Sequence, residues 1–367
     1  FHTSINTNSE SFRKNREDML AAIGTLEEIL ARAATLSDKS QPRFEKRNQL
    51  LPRERLSRVL DPGMPFLELM NVAGFTVDTP DRDASIPGCS TIAGIGYIAG
   101  ARCMLMVDDS GINAGAMTAL STRKANRLMD IARDKKLPLV HLVESAGADL
   151  LKYEVEMWMD GGGVFARLAR LSSAGVPTFV ILHGASAAGG GYMPGMSDYV
   201  IGVKGNGKAY LAGPALLKAA TGEEANDEEL GGAQMHSNTS GLVEYLAEDD
   251  AHGIAICREL IERLDWNRLC PQMPPSEYAE PSYAIDEIAG IVPADYRQPY
   301  DVHEVVARIV DGSDILDFKP GYGPATVCMQ ARVYGMPVGI IGNNGPIDNA
   351  GATKCAQFIQ LCDQSDI

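Results

Sequence analysis

Short echoes recur in the same order on either side of a proline-rich stretch, and they constrain the fold more than any other feature. Arg58-Val59-Leu60-Asp61 is matched by Arg308-Ile309-Val310-Asp311. Gly100-Ala101-Arg102-Cys103-Met104-Leu105-Met106, a glycine hinge and an apolar strand, is matched by Gly335-Met336-Pro337-Val338-Gly339-Ile340-Ile341. Arg123-Lys124-Ala125 then opens a helix, as Thr353-Lys354-Cys355 does. Several echoes in one order point to a duplicated unit. Ile367 falls at the place of Leu137, so a counterpart of the strand Leu139 to Val143 is expected beyond it, and the second copy is expected to be incomplete.

Within the first copy, strands and helices alternate, which reads as α/β. Strands are predicted at Cys103–Val107, Leu139–Val143, Thr178–Leu182 and Tyr199–Val203, with helices over Thr122–Lys135 and around Val164–Ser173. Ahead of them a polar-faced helix is predicted over Ser11–Ala34, carrying Met19, Leu20, Ile23, Leu26, Ile29 and Leu30 on one stripe. A short helix follows at Glu54–Leu60, and Asp78–Ser90 reads as a loop. The expected organisation is a helical extension over residues 1–50, a first domain over 51–265, a linker over 266–299 with prolines at 271, 274, 275, 281, 293 and 299, and the start of a second domain over 300–367.

Charge and cysteine content narrow the class. The chain carries 33 basic and 48 acidic residues, a net charge of -15, which argues against a nucleic-acid or anionic-membrane surface. No apolar run approaches the ~18–20 residues of a spanning helix, and no signal-peptide pattern opens the sequence. The seven cysteines are scattered, without a CxxC pair or a neighbouring His at metal spacing. Reduced thiols in a cytoplasmic or matrix-type compartment, and no metal site, are expected.

The densest chemical signal is a pair of small-residue clusters, each following a buried strand. Ser145-Ala146-Gly147-Ala148-Asp149 follows one, and His183-Gly184-Ala185-Ser186-Ala187-Ala188-Gly189-Gly190-Gly191-Tyr192 follows another, leading into a helix around Tyr192–Met196. Where no side chain intervenes, backbone reaches a ligand closely. One amide from each cluster suits a developing oxyanion such as a thioester enolate. Tight helix-on-strand packing would use the same residues; two clusters in series with three adjacent glycines favour function. Three nearby patterns carry less. Gly202 to Lys208 has phosphate-loop spacing, but Ala209 stands where Ser or Thr should hold magnesium, and a hairpin turn at Gly205-Asn206-Gly207 accounts for it better. Gly184-Ala185-Ser186-Ala187-Ala188 approaches a nucleophile elbow but ends in alanine, and none of His141, His183, His236 or His252 is singled out as a base. The acidic run Glu223-Glu224 and Asp227-Glu228-Glu229 reads as a solvated helix start rather than a paired-carboxylate site.

Taken in order, Ser145-Ala146-Gly147-Ala148, Leu171-Ser172-Ser173-Ala174-Gly175-Val176-Pro177 and Ala188-Gly189-Gly190-Gly191-Tyr192 resemble the carboxyltransferase β subunit of biotin-dependent acyl-CoA carboxylases. Leu211-Ala212-Gly213-Pro214, Lys218 to Glu224 and Leu230-Gly231-Gly232-Ala233 continue the match. It runs from Leu51 to Gly345 and is nearest to the methylcrotonyl-CoA and geranyl-CoA carboxylase type. The resemblance implies a tandem crotonase-like (ClpP/crotonase) β-β-α superhelix. It implies a homo-oligomer, a dimer of β subunits within a hexamer, with each active site shared between the first half of one subunit and the second half of its neighbour. It also implies a partner subunit bearing biotin carboxylase and biotin carrier domains, so that biotin is carried off this chain, and acyl-CoA as substrate.

By the same resemblance, carboxybiotin releases CO2, the biotin anion deprotonates the acyl-CoA, and the enolate attacks CO2 while backbone amides hold the oxyanions. The implied donors are Gly147, Ala148, Gly189 and Gly190. The implied substrate contacts are Ser145, Ala146, Gly161, Ala174, Gly175, Gly191, Tyr192, Gly213 and Pro214. Where methylcrotonyl-type members carry a bulky aromatic, this chain has Asp160-Gly161-Gly162-Gly163. Either Gly161 opens the acyl pocket toward geranyl-CoA or another long branched enoyl-CoA, or the glycines form a flexible loop. The biotin-side oxyanion loop is expected beyond Ile367. A propionyl-, acetyl- or longer-chain acyl-CoA carboxylase subunit remains an alternative, as do a crotonase-like thioester hydrolase or decarboxylase and a non-catalytic scaffold.

Overall fold

In the computed structural model, which describes residues 1–77, 79–149, 155–270 and 277–367, helices lead into the sheet. The first is α1 (Glu10–Asp38), followed by α2 (Gln41–Lys46) and α3 (Pro52–Val59). Proline in the first turn starts α2 and α3, where its missing N–H has no intrahelical partner to lose. Two compact units emerge: Ile29–Pro271, and Phe1–Glu28 together with Gln272–Ile367. Residues 271–276 of the expected linker and Asp78 of the expected loop lie outside the described residues.

The unit Ile29–Pro271 is built on an antiparallel start and a parallel continuation. A two-residue strand β1 (Leu67–Glu68) pairs with β2 (Thr91–Ile98), which forms a hairpin with β3 (Ala101–Asp108). After α4 (Ala119–Asp134), β4 (Leu139–Val143) lies parallel to β3. Then come α5 (Val155–Ser173), β5 (Thr178–Leu182), a short strand β6 (Ala185–Ala187), α6 (Tyr192–Gly195), β7 (Tyr199–Val203) and β8 (Lys208–Tyr210). With β9 (Tyr245–Ala247) the main sheet runs β1-β2-β3-β4-β5-β7-β9.

Both faces of this sheet are covered, so β4 and β5 are buried along their whole length and read as continuous apolar runs. Val180 and Leu182 pack with Leu128, Val164 and Leu168 on one face. Phe179 and Ile181 pack with Leu56, Ile254 and Ile261 on the other, the last two from the helix Asp250–Leu264. The turn after β7 does not make a hairpin, contrary to expectation. It carries the chain into β8, which pairs in parallel with β6 in a separate two-stranded sheet. Lys208 is held there by Asp227 at 2.9 Å, which leaves the phosphate-loop spacing without its lysine.

The second unit repeats the antiparallel start. After the helix Val302–Val306, β10 (Leu316–Asp317), β11 (Thr326–Val333) and β12 (Met336–Asn343) form a three-stranded sheet, followed by the helix Asn349–Gln364. Both hairpins join eight-residue strands through two left-handed residues, Ala99 and Gly100 (φ 48° and 77°) or Tyr334 and Gly335 (φ 52° and 76°), as a type I′ turn requires. An aspartate fixes each turn. Asp61 accepts the N–H groups of Ala99 and Gly100 at 2.9 and 2.7 Å, and Asp311 those of Tyr334 and Gly335 at 2.9 and 2.6 Å. The lysines of the third echo, Lys124 and Lys354, are both buried and donate to backbone carbonyls at the entry to β2 (Gly88 and Thr91) and ahead of β11 (Lys319).

Candidate active site

The carboxyl ends of β4 and β5 bring the two small-residue clusters into direct contact. Ala187 N–H donates to Ser145 O at 3.1 Å. A Cβ on Gly190 would stand 3.1 Å from Ser145, and one on Gly147 would stand 2.7 Å from Ala187 O. Gly147 also has φ +84°, where a side chain is strained in any case. These two glycines therefore let one loop lie against the other.

Beside that contact lies a cavity of about 440 Å³ with an almost wholly apolar wall. Ala146 and Ala148 from the first loop, and Ala187 and Gly189 from the second, face it across from Trp158, Phe165, Leu211 and Gly213. The Gly147 N–H is taken by Ser145 Oγ at 3.2 Å, and that hydroxyl donates to Gly115 O at 2.8 Å. Ala188 N–H is taken by Leu211 O at 3.2 Å. Ala148 N–H meets no acceptor among the described residues. Gly189 sits in the first turn of the 3-10 segment Ala188–Gly191, where an amide has no intrahelical partner. Ala188 is itself left-handed, with φ +49°, the kind of backbone strain that clusters at functional sites.

The remaining expected contacts divide. Ser145 is buried behind the loop, Gly161 and Gly213 line the cavity, and Gly191 packs so closely on the chain that a Cβ there would stand only 3.1 Å from Tyr210 O. Tyr192 lies tilted against the cavity residue Phe165 with ring centroids 4.9 Å apart, and Pro214 opens α7 (Pro214–Thr221) next to Gly213. Ala174 and Gly175 are elsewhere. They turn the chain from α5 into the amino end of β5, whereas the clusters sit at its carboxyl end. The helix after the glycine run, α6, is only four residues long, so a helix field contributes little and the amides act as individual donors.

Gly161, Gly162 and Gly163 are not a loop. They lie inside α5, where each costs about 1 kcal/mol relative to alanine. Cβ atoms on Gly161 and Gly162 would meet nothing within 4 Å, so the protein's own packing does not demand glycine there; the beneficiary is the cavity they line. Met117, Thr122, Trp158, Phe165, Leu211 and Leu216 also line it. Extending the α5 periodicity back through the glycines would have found Trp158.

Ser186 fails as a nucleophile: it is fully buried and its Oγ has no hydrogen-bond partner among the described residues. The acidic run is exposed and begins α8 (Asp227–Gly231), capped by Asn226, as a solvated helix start should. Among the described residues no three His, Cys, Asp or Glu gather as a metal site, and no helix is long and apolar enough to cross a membrane. The seven cysteines are free thiols.

Comparison with known proteins agrees with this architecture. The geranyl-CoA carboxylase β subunit of P. aeruginosa superposes with a TM-score of 0.91 at 47% identity, over 100% of this chain and 68% of that one. A probable biotin-dependent acyl-coenzyme A carboxylase β2 subunit of Mycobacterium tuberculosis is 42% identical over 94% of this chain and 64% of its own length. The mitochondrial methylcrotonoyl-CoA carboxylase β chain of Arabidopsis thaliana is 41% identical over 99% of this chain and 62% of its own. The chain thus spans less than two-thirds of the length of these two curated relatives. The carboxyl transferase domain model matches residues 43–367. Because that stretch takes in both hairpin units and both small-residue loops, the chain belongs to the carboxyl transferase domain family.

Proposed function

We propose that this chain forms the acyl-thioester half of a biotin-dependent carboxyltransferase acting on a branched enoyl-CoA. The observation that carries the reading is that Ala148 and Gly189, from two different loops, both line the apolar cavity and have N–H groups that no acceptor among the described residues occupies. A thioester oxygen placed between them gains two donors as it becomes an enolate oxyanion. Removing one such donor typically costs about 2.7–4 kcal/mol of barrier. Gly147 and Gly190 act behind them by letting the loops close. Among the described residues the wall offers no carboxylate, imidazole or amine, and on this reading the proton leaves to a group outside them. Carboxybiotin, on a partner chain, supplies the carboxyl group when bound. The residues described here fit the acyl side, and none of them is assigned to biotin.

The set-back wall at Gly161 and Gly162 favours a long branched acyl group, of the geranyl-CoA type, over 3-methylcrotonyl-CoA. Trp158, Leu211 and Leu216 line the cavity while staying 57%, 72% and 62% exposed, which suits a site completed by a second copy within a homo-oligomer. We place the protein in the cytoplasm or mitochondrial matrix, in keeping with its free thiols. The test uses the full-length protein with a partner carrying biotin. ATP-, bicarbonate- and biotin-dependent carboxylation of geranyl-CoA is expected, and its absence with every branched enoyl-CoA tried refutes the reading. Gly161→Phe is expected to cut kcat/KM for geranyl-CoA by about 100-fold while sparing 3-methylcrotonyl-CoA. Gly189→Pro, which deletes the N–H, is the sharper probe of the oxyanion site. Gly189→Ala is the weaker one, because its Cβ meets nothing in the protein.

A further inference from the structure

A layer of buried charge lies directly beneath the two loops. Arg55 on α3 is fully buried. Its Nη1 donates to Glu144 Oε2 at 2.9 Å and its Nε to Asp250 Oδ2 at 3.0 Å. Asp250 also bonds the His183 ring, Nδ1 to Oδ1 at 2.7 Å, and accepts the Leu50 N–H at 2.8 Å. Burial alone would raise the Asp250 carboxyl; its bonds with His183, Arg55 and the Leu50 N–H outweigh that and hold it below the usual carboxylate range. Burial pushes the His183 imidazole down, and its Nδ1–H donates to the Asp250 carboxylate.

The placement of these groups is what gives them meaning. Glu144 is the residue after β4 and His183 the residue after β5, so each stands at the root of one loop. A Cβ on Gly184 would overlap the Glu144 side chain, and glycine there lets that carboxylate pass beneath the end of β5. Gln49 Nε2 donates to His183 O at 2.7 Å and closes the layer. Burying three ionised groups is not the obvious route to stability, since apolar packing of the same volume serves as well. A guanidinium fork does what apolar packing cannot: it fixes two carboxylates in distance and direction at once. An oxyanion site needs that precision, because both donors must reach one oxygen.

We infer that Arg55 is a positioning residue, whose guanidinium ties Glu144 to the Asp250–His183 pair and thereby sets the spacing between the Ala148 and Gly189 amides. The purpose of the spacing rests on the proposed thioester site; the tie itself does not. The experiment uses the full-length protein with its biotin-bearing partner and the soft variants Glu144→Gln, Asp250→Asn, their combination, and Arg55→Lys, which keeps the charge and loses the fork. Hydrogen-exchange mass spectrometry reads the segments 145–149 and 184–191. Asp250 makes no hydrogen bond to the first of these, yet Asp250→Asn is expected to speed exchange about tenfold in both segments and to leave β7 unchanged. Turnover is expected to fall about 10–100-fold in each variant with KM for acyl-CoA within about twofold, and the double variant to be no worse than the poorer single one. Faster exchange confined to the loop next to the substituted residue, or losses that simply add, overturns the tie. If the unsubstituted protein carboxylates no acyl-CoA, the functional reading fails, and the exchange measurement still decides whether Arg55 couples the loops.

Discussion

The two hairpin units share a plan and differ in what is added to it. In each, an aspartate holds a two-residue turn, and a buried lysine on the following helix reaches back to the loop before the hairpin. The first hairpin then continues into the parallel strands β4, β5 and β7, and β3 is buried at every position but one. In the second, β12 pairs with β11 alone among the described strands and alternates between exposed and half-buried. The candidate chemistry follows the addition. Both small-residue loops spring from the carboxyl ends of parallel strands, where open α/β sheets bind ligands. On the proposed reading the hairpin and its helix are scaffold, and the parallel continuation adds the candidate site.

The sharpest way to break that division is at Gly147. Its φ of +84° and the 2.7 Å approach to Ala187 O leave no room for a methyl group. Gly147→Ala is expected to part the two loops and lower kcat in the full-length enzyme by about 10²–10³-fold, while both hairpins keep their hydrogen-exchange protection. Lost hairpin protection would mean that scaffold and site are not separable.

Lys124 tests the scaffold itself. Its Nζ donates to Gly88 O at 3.1 Å and Thr91 O at 2.6 Å, and burial pulls its pKa from 10.5 down to about 8. Between those values the unfolded chain binds a proton that the folded chain does not, so this group makes stability rise as pH increases from about 8 to 10.5. The full swing is about 3 kcal/mol. Cys257, whose thiol burial pushes up to about 12, works in the opposite direction, because the unfolded thiol ionises first. Urea unfolding of the unsubstituted chain and Lys124→Met across that range separates the two, and the difference between the curves should carry the rise. A flat difference would remove the buried charged lysine from the account.

The turn aspartates come next. Asp61→Ala and Asp311→Ala each leave two turn N–H groups without their carboxylate, for an expected cost of about 1–3 kcal/mol. Asp61 also accepts Arg258 Nη2 at 2.7 Å, so Asp61→Ala should be the more damaging. Equal losses in urea unfolding would mean that the Arg258 contact contributes nothing.

These residues also explain what was legible in advance. Asp61 and Asp311, Gly100 and Gly335, and Lys124 and Lys354 serve turns and loops through their own side chains or backbone, so their identity survives in both copies and can be read as an echo. The loops at Ser145–Ala148 and Ala187–Gly191 were legible because close backbone approach leaves runs of small residues. Two things were hidden. The glycines at 161–163 mask the start of α5, because a local breaker signal competes with a helix held by tertiary packing through Phe165 and Leu168. The charge layer draws on Arg55, Glu144, His183 and Asp250 from four separate segments, and no spacing in the sequence announces it. The expected hairpin at Gly205-Asn206-Gly207 went wrong for a related reason: the turn residues were read correctly, but they connect two different sheets.

The smallest expected effect asks how far the copies match inside. Aligning the strands from Thr91 and Thr326, and the helices from their caps Thr118 and Asp348, puts Cys328 at the place of Ala93 and Cys355 and Cys362 at those of Ala125 and Ala132. The three alanines are buried in the first unit's core. The three thiols gather with Phe318 and Phe358, where Phe358 takes the place of Leu128. If the thiols only fill the larger space around those rings, then Cys328→Ala, Cys355→Ala and Cys362→Ala each remove one sulfur's worth of packing. The expected loss is about 1 kcal/mol apiece in urea unfolding, with an unchanged denaturant slope. The second unit would then be the first unit's hairpin repacked around bulkier side chains. A single loss above about 3 kcal/mol would instead make the sulfur cluster a feature of the second unit in its own right, and the likeness between the copies would stop at the turns and caps.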